Sequence, residues 1–177
     1  RTATTTVTFR SGDVDYKREV FSSLPGNVIA IRLTSSDKGK LSFSTWINRP
    51  GETESVIVEG KQLKMNGFAQ YEGRGTRFAS VVDIGNKGGQ VIPTDSSLVI
   101  EDADEVLILV SGRTDYWGQD EEKLAENDIY KIENSDFRSL RSDHIQSYQQ
   151  LFNRVDLAIN ERDSLNLPTD ERLERSK

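Results

Sequence analysis

The sequence predicts a mainly β protein, a supersandwich-like antiparallel β-sandwich followed by a C-terminal linker helix. Two observations predict the sandwich: β-type runs with period-two alternation, and Gly-, Pro- and Asn-containing turns between them. Val28 and Ala30 alternate with Ile29 and Ile31, which places the two pairs on opposite faces of one strand. Because no helical pattern separates the runs, antiparallel strands joined by tight turns are favoured.

Nine runs between residues 4 and 111 are predicted as strands. They cover residues 7–9, 16–22, 27–34, 41–48, 62–71, 78–84, 91–92, 98–101 and 105–110. Turn-forming sequences separate them, among them 25–27 and 86–89, and supply the positive φ or preset φ that turns require. We therefore assign residues 1–117 to a β-sandwich domain.

The composition changes after Gly112. Residues 118–141 are polar and acidic, which is typical of a linker or a solvated excursion. After it, largely apolar residues recur at helical spacing and form what we call the apolar stripe: His144, Tyr148, Leu151, Phe152, Val155 and Ile159. Ser142 or Asp143 is placed to cap this helix. We therefore predict a helical linker within residues 142–177, with its principal helix at about 142–159.

Charge and composition exclude several classes of function. The chain has 29 Asp plus Glu against 23 Lys plus Arg, a net charge of −6, and the sequence shows no basic cluster of the kind that binds nucleic acid. Its longest apolar run, 106–110, is too short to span a membrane. The absence of Cys excludes disulfides and Cys-ligated zinc. We predict no cofactor, no nucleic acid partner and no membrane partner.

Few residues suggest catalysis. His144 is the single histidine, no Gly-x-Ser-x-Gly motif accompanies it, and a packed helix residue is the favoured interpretation. The carboxylates of residues 101–105 lack the spacing of a calcium loop, so a solvated turn is favoured there. We predict no catalytic residue and no metal site in this chain.

Three aromatic residues are the candidate substrate-binding residues: Tyr116, Trp117 and Trp46. Their rings can stack on sugar faces while their polar atoms bond hydroxyl groups. For Trp46, which alternates within a predicted strand, core packing is favoured. For Tyr116 and Trp117, which follow the last strand, packing and sugar binding are about equally favoured.

Several segments occur together in a recognisable order. They are residues 16–22, 25–33, 39–43, 73–79, 88–89 and 103–116, followed by the apolar stripe and by Leu-Pro-Thr-Asp-Glu-Arg-Leu at 167–173. The first set resembles the N-terminal β-sandwich domain of glycoside hydrolase family 95, whose best-known members are α-L-fucosidases. The tail is similar to the linker that joins this sandwich to a catalytic (α/α)6 barrel.

The resemblance implies a role without catalysis. The catalytic residues of such an enzyme belong to the barrel, so this chain alone is expected to be inactive. It would be an N-terminal fragment that lacks its first strands. Its expected role is to support the barrel of an α-L-fucosidase or related exo-glycosidase. The expected location of that enzyme is secreted or periplasmic. The apolar stripe is the expected interdomain contact, or a surface for self-association. A stand-alone carbohydrate-binding module and a structural sandwich without sugar contact remain as alternatives.

Overall fold

The computed structural model describes residues 1–72, 74–133, 135–156 and 167–174. Within these ranges the chain forms ten strands and three helices. They are β1 (Thr5–Ser11), β2 (Val14–Ser23), β3 (Val28–Ser35), β4 (Leu41–Thr45), β5 (Thr53–Glu59), β6 (Gln62–Tyr71), β7 (Arg74–Lys87), β8 (Gln90–Pro93), β9 (Leu98–Ala103), β10 (Glu105–Thr114), α1 (Glu121–Ile132), α2 (Phe137–Phe152) and α3 (Thr169–Glu174). None of these helices is long and apolar enough to cross a bilayer.

The strands form two sheets. Seven strands follow the order β1-β2-β3-β10-β7-β6-β5, and three follow the order β4-β9-β8. Every recorded strand pair is antiparallel, and β10 lies at the centre of the larger sheet, where Val110 pairs with Ile29 on one side and Val82 on the other. The predicted fold class, an antiparallel β-sandwich followed by C-terminal helix, is confirmed.

Period-two alternation divides the seven-stranded sheet into two apolar faces. On β7, Val82 and Ile84 face the three-stranded sheet, while Ala79 and Val81 face the helices. The core between the sheets consists of Leu41, Leu63, Val82, Ile84, Leu98, Ile100, Ala103 and Val106. The core beneath the helices consists of Phe21, Val28, Ala30, Ala79, Val81, Leu109, Ala125, Ile129, Ile132, Phe137 and Leu140.

Helix α1 occupies part of the segment for which we predicted a polar linker. Its first turn is capped by Asp120, whose side chain accepts a hydrogen bond from the Lys123 backbone N–H. Ala125, Ile129 and Ile132 are spaced four and three residues apart and are buried against the sheet. The expectation of a solvated excursion at 118–141 is therefore wrong for its secondary structure. The domain boundaries at 117 and 141 remain a prediction.

Helix α2 begins and ends earlier than predicted. Its N-cap is Asp136, whose carboxylate accepts a hydrogen bond from the Ser139 backbone N–H, rather than Ser142 or Asp143. The helix ends at Phe152. Of the apolar stripe, Ile159 lies outside the described residues.

Two further strand predictions are corrected. β5 was missed, because its apolar run is only three residues long, 56–58, and polar residues flank it on both sides. In the described part of the chain β5 is an edge strand that pairs with β6. The strand predicted at 41–48 ends at Thr45, so Trp46 leaves the sheet. Its side chain is 64% exposed, which corrects the expectation that Trp46 packs in the core.

Candidate functional site on the helix-covered face

A buried ion pair fixes α1 to the centre of the sheet. Asp128, only 2% exposed, accepts hydrogen bonds from Arg113 Nε at 2.6 Å and Arg113 Nη2 at 2.9 Å. The Ser111 hydroxyl donates a third bond to Asp128, at 3.1 Å. Hydrogen bonding to Asp128 raises the pKa of Arg113. Such a two-pronged guanidinium–carboxylate contact fixes both the position and the orientation of the helix.

Other carboxylates of α1 also meet cations of the strands. Arg77 Nε lies 3.1 Å from the Glu121 carboxylate. Lys64 Nζ lies 2.8 Å from Glu59 and 2.9 Å from Glu126, and hydrogen bonds to these two residues raise the pKa of Lys64. The acidic residues that made this segment resemble a linker are therefore largely engaged by the sheet.

Aromatic packing, in contrast, fixes α2. Phe21 of β2 lies between two residues of the helix, with ring centroids 5.5 Å from Phe137 and 4.7 Å from His144, the latter stacked. The Arg32 guanidinium lies over the Phe137 ring at 5.1 Å, a cation–π contact. The helix therefore rests on β2 and β3 through its first two turns.

The first residues of the chain contact α2 at His144 and Gln149. His144 Nε2 lies 3.0 Å from the Thr2 carbonyl oxygen and 3.1 Å from that of Ala3. A carbonyl oxygen only accepts, so Nε2 is the donor in these bonds. Gln149 Nε2 donates to the Arg1 carbonyl at 3.1 Å. His144 is thus buried, and its Nε2 atom donates to backbone carbonyl oxygens. Nε2 is therefore not available to accept a proton from a substrate.

The structure separates the apolar stripe into a covered part and an exposed part. Tyr148 stacks on Phe152 at 5.1 Å, and the Arg1 guanidinium lies over the Phe152 ring at 5.2 Å. Leu151 and Val155 are exposed. This exposed apolar end has surface left to bury against another domain or another copy of the chain. The interdomain role of the stripe stays a prediction.

The candidate sugar-binding aromatics lie on the surface. Tyr116 is 70% and Trp117 83% exposed, and their rings meet edge to face at 4.9 Å just after β10. Among the described residues no ring contact joins Trp46 to this pair. The structure thus brings together two of the three candidates, and their role in binding stays a prediction.

The carboxylates within residues 101–105 contact different groups of the protein. The Gly39 backbone N–H donates to Asp104 at 2.7 Å, and Glu105 pairs with Arg32 and with Lys87. Burial alone would raise the pKa of Glu105, but hydrogen bonds from Arg32 and Lys87 outweigh it, and the pKa is lowered. Within the described ranges, no three His, Asp or Glu side chains come together as a metal site would require.

Sequence reasoning missed Asp128 and Arg113, the pair that positions α1. One signal was available, because the spacing of Ala125, Ile129 and Ile132 matches one face of a helix. The partner of Asp128 lies on β10, and that contact depends on how the helix docks. Local sequence therefore contains no signal for the ion pair itself.

The chain is similar to one known domain family and to two known proteins. The family model of the glycosyl hydrolase family 65 N-terminal domain matches residues 1–119. "Alpha-L-fucosidase 2" of Arabidopsis thaliana is 26% identical to this chain, and the match covers 88% of the chain and 22% of that protein. A putative kojibiose phosphorylase from human microbiome is 10% identical, with a TM-score of 0.57, and the match covers 89% of this chain and 24% of that one. The second likeness shows the fold alone. The chain spans less than a quarter of either protein.

Proposed function

Because the chain belongs to the glycosyl hydrolase family 65 N-terminal domain family, we propose that it is the non-catalytic N-terminal domain of an α-L-fucosidase-like enzyme. The prediction of an N-terminal domain of glycoside hydrolase type agrees with this membership. Assignment to family 95 is the finer part of the proposal. The similarity to "Alpha-L-fucosidase 2" supports it, as do the segments described for that family.

The observation that carries the non-catalytic role is the pairing of the buried carboxylates. Glycoside hydrolysis needs two carboxyl groups around a pocket, one of them holding its proton near neutral pH because its pKa is raised. The three buried carboxylates among the described residues are Glu19, Glu121 and Asp128, and each lies against Lys or Arg. Each of these three carboxylates is therefore engaged in an ion pair that holds the fold together.

The proposed partner is the catalytic barrel, and the proposed contact is the exposed end of the apolar stripe. Leu151 and Val155 are exposed and Phe152 is partly exposed at the C-terminal end of α2. Covering them would remove apolar surface from water, which stabilises by about 25 cal/mol per Å². Self-association through the same surface is the proposal for the chain on its own, and a secreted or periplasmic location is proposed from the family resemblance.

An activity assay tests the non-catalytic role. The purified chain is incubated with fucosyl and galactosyl oligosaccharides, and we expect no turnover. Turnover that a single Asp or Glu substitution within the chain abolishes would contradict the proposal, since it would place a catalytic carboxylate in this domain.

Phe152→Asp tests the contact surface. A charge placed in a buried contact is unfavourable, so this variant should lower the self-association measured by size-exclusion chromatography, and lower the melting temperature of the longer enzyme. Gln150→Asp, on an exposed position of the same helix, is the matched control and should leave both unchanged. If Phe152→Asp changes neither quantity, the stripe packs against nothing and the proposed contact is wrong.

A second candidate function is carbohydrate binding at Tyr116 and Trp117, which the exposure of both rings favours. Sugar binding should shift the tryptophan fluorescence. Trp117→Ala should abolish that shift, and Trp46→Ala should preserve it. Loss of the shift in both variants or in neither would reject this site.

A further inference from the structure

A groove runs along α2 on the side that faces β2 and β3. Its volume is about 510 Å³, and we call it the α2 groove. Its lining includes Lys17 and Glu19 of β2, Arg32 of β3, and Arg138, Arg141 and Gln149 of α2. The helix contributes positions from 137 to 149, which at a rise of about 1.5 Å per residue extend over roughly 18 Å. The groove is therefore elongated, longer than one small ligand would need.

The charge of the α2 groove is opposite to that of the whole chain. Four cations line it, Lys17, Arg32, Arg138 and Arg141, against one carboxylate, Glu19. The net charge of the chain is −6. An anion is repelled by the protein as a whole, so one that binds must be held locally, by these side chains.

The cations differ in how well they are paired. Lys17 lies 2.9 Å from Glu19, and Arg32 lies 3.5 Å from the same carboxylate. Arg138 and Arg141 have no carboxylate partner within the described ranges. The two helix arginines therefore supply positive charge that the fold itself leaves uncompensated.

Two of the arginines that line the groove also carry a buried donor without an acceptor. The Nε atoms of Arg32 and Arg141 are both shielded from solvent and make no hydrogen bond in the described part of the chain. A buried donor left without a partner costs free energy, and native structures contain few of them. A carboxylate placed in the groove would provide acceptors for guanidinium groups in the geometry that they prefer.

We propose that the α2 groove binds an acidic polypeptide segment, one that carries two or more carboxylates spaced along the helix. The length of the groove and its separate arginines favour a segment over a single acidic sugar or phosphate, which would reach only part of the charge. The neighbouring helix provides the precedent within this molecule, because α1 docks on the same sheet through carboxylates paired with Arg113, Arg77 and Lys64. This proposal does not depend on the proposed enzyme, since it concerns the chemistry of the groove alone.

Fluorescence anisotropy with a labelled hexaglutamate peptide tests the proposal. The whole chain should bind this peptide in low salt, should bind hexaglutamine of equal length much more weakly, and should release hexaglutamate as NaCl is added. In the double variant Arg138→Gln, Arg141→Gln, affinity should fall by about tenfold or more, as expected for lost charge-assisted hydrogen bonds. The control is Arg10→Gln, Lys38→Gln, which changes the net charge equally at two exposed positions and should bind as the unmodified chain does.

Three outcomes would overturn the proposal. One is no binding of hexaglutamate in low salt, and another is an equal loss in the groove variant and its control, which would indicate a response to net charge alone. The third is displacement of the peptide by an equal concentration of D-glucuronate or inorganic phosphate, which would indicate a small-anion site. Circular dichroism establishes that both double variants are folded, and Arg138→Gln alone, at an exposed position, repeats the test if the double variant unfolds.

Discussion

Helices α1 and α2 cover the same face of one sheet, yet different kinds of interaction hold them there: ion pairs for α1 and aromatic packing for α2. Acidic side chains of α1 are paired with strand cations, and its buried Asp128 is held by Arg113. α2 rests on Phe21 through Phe137 and His144, while its two arginines stay without carboxylate partners in the described residues. The charge of a helix therefore does not tell whether it faces solvent. What decides is whether the opposing strands offer the complementary charge.

The two helices of this layer differ in what their polar side chains do. The paired carboxylates of α1 are fully used in holding that helix to β6, β7 and β10. The aromatic anchor of α2 leaves its polar side chains available, which is why both proposed contact surfaces, the exposed end of the apolar stripe and the α2 groove, lie on this helix. α1 therefore acts as structure, and α2 is the helix suited to external contacts.

Removing the aromatic anchor of α2 should have the largest effect. Phe137→Ala deletes a buried ring that packs on Phe21 and supports Arg32, and substitutions of this kind cost about 3–5 kcal/mol of unfolding free energy. Urea unfolding followed by circular dichroism measures it. Tyr130→Ala, on an exposed residue of α1, should cost under about 0.5 kcal/mol. Equal losses in the two variants would show that Phe137 is no anchor.

Breaking the ion pair of α1 should come next. Asp128→Ala leaves Arg113 without its carboxylate, and removing one partner of a buried pair costs about 3 kcal/mol, the lower end of the range, because Arg113 is partly exposed. Asp143→Ala, at an exposed acid of α2, is the matched control and should be close to neutral. A loss below about 1 kcal/mol for Asp128→Ala would mean that α1 is held by its apolar face alone.

The surface pairs of α1 should contribute less and respond to salt. A double-mutant cycle on Lys64 and Glu126 should give a coupling energy of about 0.5 kcal/mol, because both side chains retain solvent contact. The coupling should shrink in 0.5 M NaCl, where charges are screened. A coupling that salt leaves unchanged would indicate that the pair does not act through charge.

A further small effect is expected from pH at Glu105, which pairs with Arg32 beneath α2. Its pKa in the folded protein is lowered from 4.5, so its stabilising contribution is complete above that value and is lost as the pH falls through the folded pKa. Glu105→Gln should therefore be less stable than the unmodified chain at pH 7, by about 1 kcal/mol or less. The difference should shrink below pH 4.5. A difference in stability that grows in acid would mean that the pKa of Glu105 is raised in the folded protein and not lowered.

The sandwich was largely predictable from sequence, and the helix layer only in part. Alternation places residues on the two faces of a strand without reference to any partner, so residues 28–31 identify β3 by themselves. α1 was missed because its acids resemble solvated charge until Arg113 and Lys64 are brought opposite them. In α2 the stripe included His144 but omitted Phe137 and Leu140, because the predicted cap lay too late. The unpaired arginines of the groove depend on docking, which no local pattern encodes.

Amide hydrogen exchange on the whole chain tests most directly the claim that α1 is an integral layer of the fold. The account predicts that amides of residues 125–132 exchange as slowly as those of the central strand β10, because helix and strand share Asp128, Arg113 and one core and open together. Amides near the C-terminal end of α2 should exchange faster. Rapid exchange throughout α1, with β10 still protected, would contradict the account and restore the acidic linker that the composition suggested.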